Sequence, residues 1–284
     1  MTAELSADQV DVAYGNVTVV HGATVHLASG RVTALLGPNG SGKSTLLRAM
    51  ARLQRPSAGS ITLDGSVPIH SFSARELARR ITLLSQSRGV PGGVTVAEIV
   101  EYGRHPHRGR FGLRDHEGAR IVARSMALTH VTDLADRPID TLSGGQLQRV
   151  WLASCLAQDT GILLLDEPTT FLDLRHQVEL LDIIRELADD HGIAVGVVLH
   201  DLDQAAAIAD EVVLLVEGRV VAAGSVAEVF DSRTLSEAYG IPIDVAVDPD
   251  TGLLRTRAQA RHHGRQRSDT RATDRTAGDR ILTG

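Results

Sequence analysis

Apolar positions along the chain follow two rhythms. Short uninterrupted apolar runs recur at Val32 to Leu36, Ile81 to Leu84, Ile162 to Leu165 and Ile193 to Leu199. Runs of this length, bounded by turn residues, predict strands buried on both faces. Between them lie amphipathic stretches of helical period. The spacing predicts helices over Ser44 to Leu53, Asp115 to Leu128, about Arg175 to Asp189, and Asp231 to Tyr239. Ser73-Ala74-Arg75-Glu76 and Thr95-Val96-Ala97-Glu98 are capping boxes, the second opening a helix to about Tyr102. Val10 to Tyr14, Ala23 to Leu27 and Gly59 to Gly65 read as strands between turns. Glu211 to Val216 and Arg219 to Ala223, joined by Glu217-Gly218, read as a hairpin. Strands alternating with helices indicate an α/β fold. Residues 87–158 depart from that alternation and read as a mostly helical insertion.

Composition narrows the setting. The chain has 284 residues and a formal net charge of -6. Its only cysteine, Cys155, has no partner for an internal disulfide, which fits a reducing compartment. The opening residues lack the basic and apolar regions of a signal peptide, and no apolar run approaches bilayer length, so a cytoplasmic protein is expected. Arginine is concentrated after residue 254. Residues 255–284, with almost no large apolar side chain, read as a disordered, solvated tail. His262-His263 lies within it. That pair reads as two exposed histidines rather than a metal pair, and His105-Pro106-His107 has no carboxylate or cysteine at ligand spacing.

The candidate chemistry begins at Gly37-Pro38-Asn39-Gly40-Ser41-Gly42-Lys43-Ser44-Thr45, which fits the phosphate-binding P-loop and lies between a predicted strand and a predicted helix. Glycines that tolerate positive φ let backbone amides converge on a polyphosphate, and the helix start adds its own free N–H groups. Lys43 is the only lysine in the chain. It is expected at the β- and γ-phosphates, where a compact ammonium serves and a planar guanidinium does not. The Ser44 hydroxyl is expected on Mg²⁺.

Other polar residues sit at the ends of predicted strands, the edge where α/β sheets bind ligands. Asp166 and Glu167 end one apolar run, a pairing that divides between metal binding and water activation. Gln86 ends another, as a ligand contact or a solvated strand end. His200 ends a third, as a γ-phosphate partner or the lead into the next helix. Tyr14, before a turn, is either a platform for a nucleotide base or an ordinary strand-end tyrosine. Leu142-Ser143-Gly144-Gly145-Gln146 opens a helix through about Gln158, with Ser143 as its cap. That helix start is also an anion site, and a second copy of the chain could use it. Asp173 precedes a further helix.

In this order and approximate spacing, the P-loop, Gln86, Leu142 to Gln146, Asp166-Glu167, Asp173 and His200 resemble those of ATP-binding cassette (ABC) ATPases. The resemblance covers about residues 8–250. It implies a P-loop NTPase of ABC-ATPase fold: a mixed central sheet, an N-terminal antiparallel β subdomain and a helical insertion. It implies ATP and Mg²⁺ as cofactors. Tyr14 looks like the adenine-stacking aromatic, and Gly37 to Thr45 like the phosphate cradle. Ser44, Gln86 and Asp166 look like the residues at Mg²⁺, Glu167 like the general base and His200 like the switch histidine. Ser143, Gly144, Gly145 and Gln146 would contact ATP held by the other copy of a head-to-tail homodimer, with Asp173 communicating between copies.

A narrower resemblance lies in Asp166-Glu167-Pro168-Thr169-Thr170-Phe171-Leu172-Asp173-Leu174, His176-Gln177, Glu101 to Arg108 and Glu237-Ala238-Tyr239-Gly240-Ile241. These are similar to the ATPases of ferric-siderophore importers, whose relatives carry haem or cobalamin. That implies separate membrane permease subunits, an indirect link to a substrate-binding protein, and a location at the cytoplasmic side of the membrane. The rival class, an ABC ATPase acting on nucleic acid, requires a long coiled coil for which residues 87–141 are too short. No nucleic-acid partner is therefore expected.

Overall fold

The computed structural model describes residues 3–86, 89, 92–108 and 115–259. In chain order, β1 (Leu5–Tyr14) and β2 (Val17–Leu27) form a hairpin. β3 (Val32–Leu36) leads through the P-loop into α1 (Lys43–Met50). β4 (Ala58–Leu63) returns to pair with β1, and the short β5 (Val67–Pro68) pairs with β4. α2 (Ala74–Ala78) precedes β6 (Ile81–Leu84). Three helices follow: α3 (Val96–Tyr102), α4 (Gly118–Leu128) and α5 (Gly144–Ala157). β7 (Ile162–Asp166), α6 (Leu174–Asp189), β8 (Ala194–Val198) and α7 (Leu202–Ile208) restore the alternation. β9 (Glu211–Val216) and β10 (Arg219–Ser225) form the hairpin read from the sequence, followed by α8 (Val226–Val229) and α9 (Ser232–Tyr239). A second hairpin, β11 (Ile243–Val247) and β12 (Leu254–Ala258), comes last.

The central sheet has the order β10-β9-β3-β8-β7-β6, parallel throughout except for β10 at one edge. A separate antiparallel sheet, β2-β1-β4-β5, covers one side. β3, β7 and β8 are buried along their whole length, as parallel strands covered on both faces must be. Their alternate residues serve two cores. Val32, Ala34, Leu36, Leu163, Leu165, Val195 and Val197 face Ile183, Ile184 and Leu187 of α6. Leu35, Ile162, Leu164, Ala194 and Val198 face α1 and the antiparallel sheet, including Leu46, Leu47 and Leu27. A third cluster, with Ile99, Met126, Val150 and Ala153, holds α3, α4 and α5 together. Among the described residues, no helix is long and apolar enough to cross a membrane.

The two predicted capping boxes are present: Ser73 with Glu76 and Thr95 with Glu98 each exchange side-chain and backbone hydrogen bonds. Ser143, predicted as a cap, forms a further box with Gln146. One expectation fails. The composition predicts a disordered tail from residue 255, yet β12 continues through Ala258. Its composition hid it, because most of its side chains, Arg255 and Arg257 among them, face outward. The strand is held by β11 and by hydrogen bonds from Thr256 to Asp203. Residues 260–284, including His262-His263, lie outside the described residues.

Arg104, just beyond α3, is buried, and its guanidinium grips Asp115 through two hydrogen bonds of 2.7 and 3.0 Å. Its remaining arm donates to the Ala157 carbonyl at the end of α5, at 3.0 Å. The hydrogen bonding of Arg104 to Asp115 holds the Asp115 carboxyl below its ordinary 3.8. Stability from the pair is therefore complete above that value and is lost as pH falls through the depressed one. Asp115→Ala strands a buried guanidinium and is expected to lower the unfolding free energy by ~3 kcal/mol. Urea unfolding at neutral pH measures this, and the deficit should shrink in acid.

Candidate active site

The central sheet delivers its polar groups to one edge. β3, β8, β7 and β6 are parallel neighbours, so their carboxyl ends lie side by side. At or just beyond those ends are the P-loop, His200, Asp166-Glu167 and Gln86. A pocket at this edge is lined by Val19, residues 39–45, Glu167 and His200.

The P-loop backbone is bent where glycine is required. Gly37 has φ of 137° and Gly42 has φ of 95°, and a Cβ on Gly37 would lie 1.9 Å from the Leu215 carbonyl of β9. Lys43 is buried beneath the loop and donates to the carbonyls of Gly37 and Pro38 at 2.8 and 2.9 Å. Burial pushes its ammonium below the usual lysine range, while the charges of Glu167 and Asp166 pull it back up. The β9–β10 turn supports the loop from behind, with the Gly218 amide donating to the Ser41 carbonyl at 3.1 Å.

Asp166 is buried at the tip of β7 and accepts from the Ser44 hydroxyl at 2.5 Å. Arg48, one helical turn beyond Ser44 on α1, reaches its other oxygen at 3.3 Å. A hydroxyl and a carboxylate converging in this way suit a hard divalent cation. Mg²⁺ takes one or two protein oxygens and completes its shell with water and phosphate. Glu167 has a positive φ of 55° and stands apart from Asp166 in its contacts. Its carboxylate accepts from the Gln86 amide at 2.6 Å and pairs with His200 Nε2 at 2.7 Å. The structure therefore brings together Lys43, Ser44, Asp166, Glu167, Gln86 and His200, which come from four separate parts of the chain.

A match to the family described as ABC transporter spans residues 20–170. The chain belongs to the ABC transporter family. Among curated relatives, it is 44% identical over 250 residues to the ferric enterobactin transport ATP-binding protein FepC of Escherichia coli, covering 88% of this chain and 92% of that one. It is 40% identical over 247 residues to the iron(3+)-hydroxamate import ATP-binding protein FhuC of Bacillus subtilis, covering 87% and 91%. Among solved structures it superposes on a dimeric bacterial ABC transporter cassette with a TM-score of 0.68 at 25% identity, covering 78% of this chain and 98% of that one.

Several predicted residues of the cassette stand apart from the P-loop pocket. Tyr14 ends β1 at the hairpin turn, half-exposed, and does not line the pocket; Val19 of β2 does. Ser143 and Gln146 cap α5 reciprocally, with the Gln146 amide on Ser143 Oγ at 3.3 Å and the Ser143 amide on Gln146 Oε1 at 3.1 Å. They and Gly144 lie at the exposed start of that helix and do not line this pocket. Asp173 caps α6, accepting from the His176 amide at 2.9 Å and pairing with its ring at 2.7 Å. Those bonds hold its carboxyl below the usual range. His107, one of the paired histidines considered for metal, meets the Gln158 carbonyl at 2.8 Å, and His105 stacks on Tyr102.

Sequence reasoning missed Arg48, although helical spacing from Ser44 carries the signal, since residues four apart share a face. It also treated Glu217-Gly218 only as a turn. Gly145 has a need within its own chain: a Cβ there would lie 2.3 Å from the His176 ring. Gly145→Ala is expected to force α5 and α6 apart and to cost ~2 kcal/mol, the usual penalty for overpacking. Thermal unfolding of the purified variant, beside that of Gly144→Ala where space is open, checks this.

Proposed function

We propose that this chain is the ATP-hydrolysing subunit of an importer for an iron(III)–siderophore complex, working as a homodimer at the cytoplasmic face of the membrane beside separate permease subunits. The observation that carries the ATPase reading is the convergence of Lys43, Ser44, Asp166, Glu167, Gln86 and His200 on one sheet edge. The cargo reading rests on relatives named for ferric enterobactin and iron(3+)-hydroxamate transport. The cargo does not touch this subunit, so the matching residues report ancestry.

In this reading the amides of residues 40–45 and the start of α1 wrap the phosphates, with Lys43 on the β and γ groups. Ser44, Asp166 and Gln86 would hold Mg²⁺, which would supply charge neutralisation for the phosphates. Glu167 takes the proton of an attacking water. A bond forms between that water oxygen and the γ-phosphorus, and the bond to the β–γ bridging oxygen breaks, leaving ADP and phosphate. For this, one Glu167 oxygen exchanges its partner, Gln86 or His200, for water. His200 then turns to the γ-phosphate, and Tyr14 stacks on adenine.

The second copy enters because the exposed start of α5 does not line the pocket of its own chain. Its Ser143 hydroxyl and the amides of Gly144 and Gly145, with the Gln146 side chain beside them, are suited to an anion presented from outside. Beside Asp173, Phe171 is 96% exposed and Leu174 is 76% exposed. An aromatic presented this openly suits a buried anchor between the two copies. For the permease, the apolar cleft between Val94, Ile99, Tyr102 and Trp151 offers a docking groove on the helical insertion, following Gln86 in the chain.

Glu167→Gln is expected to keep ATP affinity, to lose hydrolysis by about 10²- to 10⁴-fold and to accumulate an ATP-bound dimer on gel filtration. Normal turnover in that variant removes Glu167 as the base. Phe171→Ser is expected to weaken ATP-driven dimerisation by about tenfold or more in sedimentation experiments. For the cargo, deletion of the gene should abolish uptake of radiolabelled iron–siderophore, wild-type protein should restore it, and the Glu167→Gln protein should not. Unimpaired uptake in the deletion strain sinks the importer assignment.

A further inference from the structure

The stretch Glu237 to Ile241 has no part in the chemistry described so far, yet it reaches the P-loop. Tyr239 is the last residue of α9, followed by Gly240 at φ of 68°, which ends the helix. The phenol oxygen accepts a hydrogen bond from the Gly37 amide at 3.1 Å. Gly37 is where β3 leaves the sheet; the β3–β9 pairing runs from Thr33 to Leu36, and the chain then turns into the loop. Its amide has therefore left the ladder and needs another acceptor. A glycine also restrains its own backbone less than any other residue does. Gly37 is held from two sides: the Leu215 carbonyl stands where a Cβ would be, and Tyr239 takes the amide. Burial pushes the Tyr239 phenol upward, so it stays a neutral acceptor through the physiological range.

The same C-terminal segment also reaches the element behind His200. The amides of Ile243 and Val245 donate to the hydroxyls of Ser236 and Ser232, each at 2.9 Å, which fastens β11 to α9. From β12, the Thr256 amide and hydroxyl both donate to Asp203 at 2.7 and 2.9 Å. Asp203 lies in the first turn of α7, the helix whose cap, Asp201, directly follows His200. Neither Tyr239 nor Thr256 lines the nucleotide pocket. Hydrogen bonds through residues 232–258 thus join the entry of the P-loop to the helix that follows His200.

We propose that this segment is a positioning clasp for the nucleotide site: Tyr239 sets the entry of the P-loop and Thr256 seats α7 behind His200. The proposal rests on the ATP-site reading above, and it assigns the two ends different effects. The P-loop wraps the phosphates common to ATP and ADP. His200 faces the γ-phosphate, which ADP lacks.

The test is equilibrium binding of ATP and ADP, with steady-state ATPase kinetics, on the full-length chain. Tyr239→Phe removes one oxygen and keeps the ring. It should raise the Kd of both nucleotides about fivefold, the worth of one neutral hydrogen bond, and leave kcat at saturating ATP within about twofold. Thr256→Val should do the reverse, lowering kcat about threefold with the ADP Kd unchanged. Arg233→Ala, an exposed change on the same helix, should alter neither.

The clasp is overturned if Tyr239→Phe binds both nucleotides as tightly as wild type. It is also overturned if both variants only lower the unfolding temperature. A wild-type chain that fails to bind ATP instead removes the reading on which the clasp rests. Hydrogen exchange on the wild-type protein gives an answer independent of any variant: the Gly37 amide should be protected, and free exchange there refutes the Tyr239 contact.

Discussion

A buried carboxylate at the tip of a buried strand is the constraint around which this molecule is arranged. Asp166 ends β7 with almost no access to water. A charge in that position is costly unless donors surround it. Ser44 and Arg48 both come from α1, so the helix that follows the P-loop is tied to the strand two places across the sheet. That connection sets the distance between the phosphate cradle and the acidic pair. The sheet makes it possible, since β3, β8 and β7 are almost wholly apolar and carry their charged groups at or past their carboxyl ends.

The same economy governs Glu167. It sits next to Asp166 in the chain but turns away through a left-handed backbone, and its two oxygens are held by residues from different strands. The adjacent acids therefore occupy different environments, one facing α1 and one facing Gln86 and His200. That separation allows one to serve a cation and the other a proton. The opposite end of the problem is α5, whose start is capped by its own side chains and lies outside the pocket of its chain. The start of α5 and the P-loop pocket are therefore separate features of one chain, each ordered by its own hydrogen bonds.

Much of this was legible in the residues alone. Strands such as β3, β6 and β7 announce themselves as apolar runs, and two capping boxes and the Ser143 cap mark their helices, because these signals are local. The P-loop is local as well. The β11–β12 hairpin was not legible: its arginines face solvent, and what holds β12 is Asp203, some fifty residues away. Arg48 had a helical-spacing signal but no reason to matter until Asp166 arrived beside it. Phe171 reads as an ordinary apolar residue, and only the fold leaves it outside.

What the chain determined by itself was the kind of chemistry and the order in which its parts appear, since motif residues and apolar periodicity act over a few positions. Tertiary structure decided which of those parts meet. It set Gln86 and His200 on Glu167, put the His176 ring against Gly145, and brought the Tyr239 hydroxyl to the first amide of the P-loop. These contacts join residues far apart in the chain. Their geometry comes from strand order and register, which no short stretch encodes.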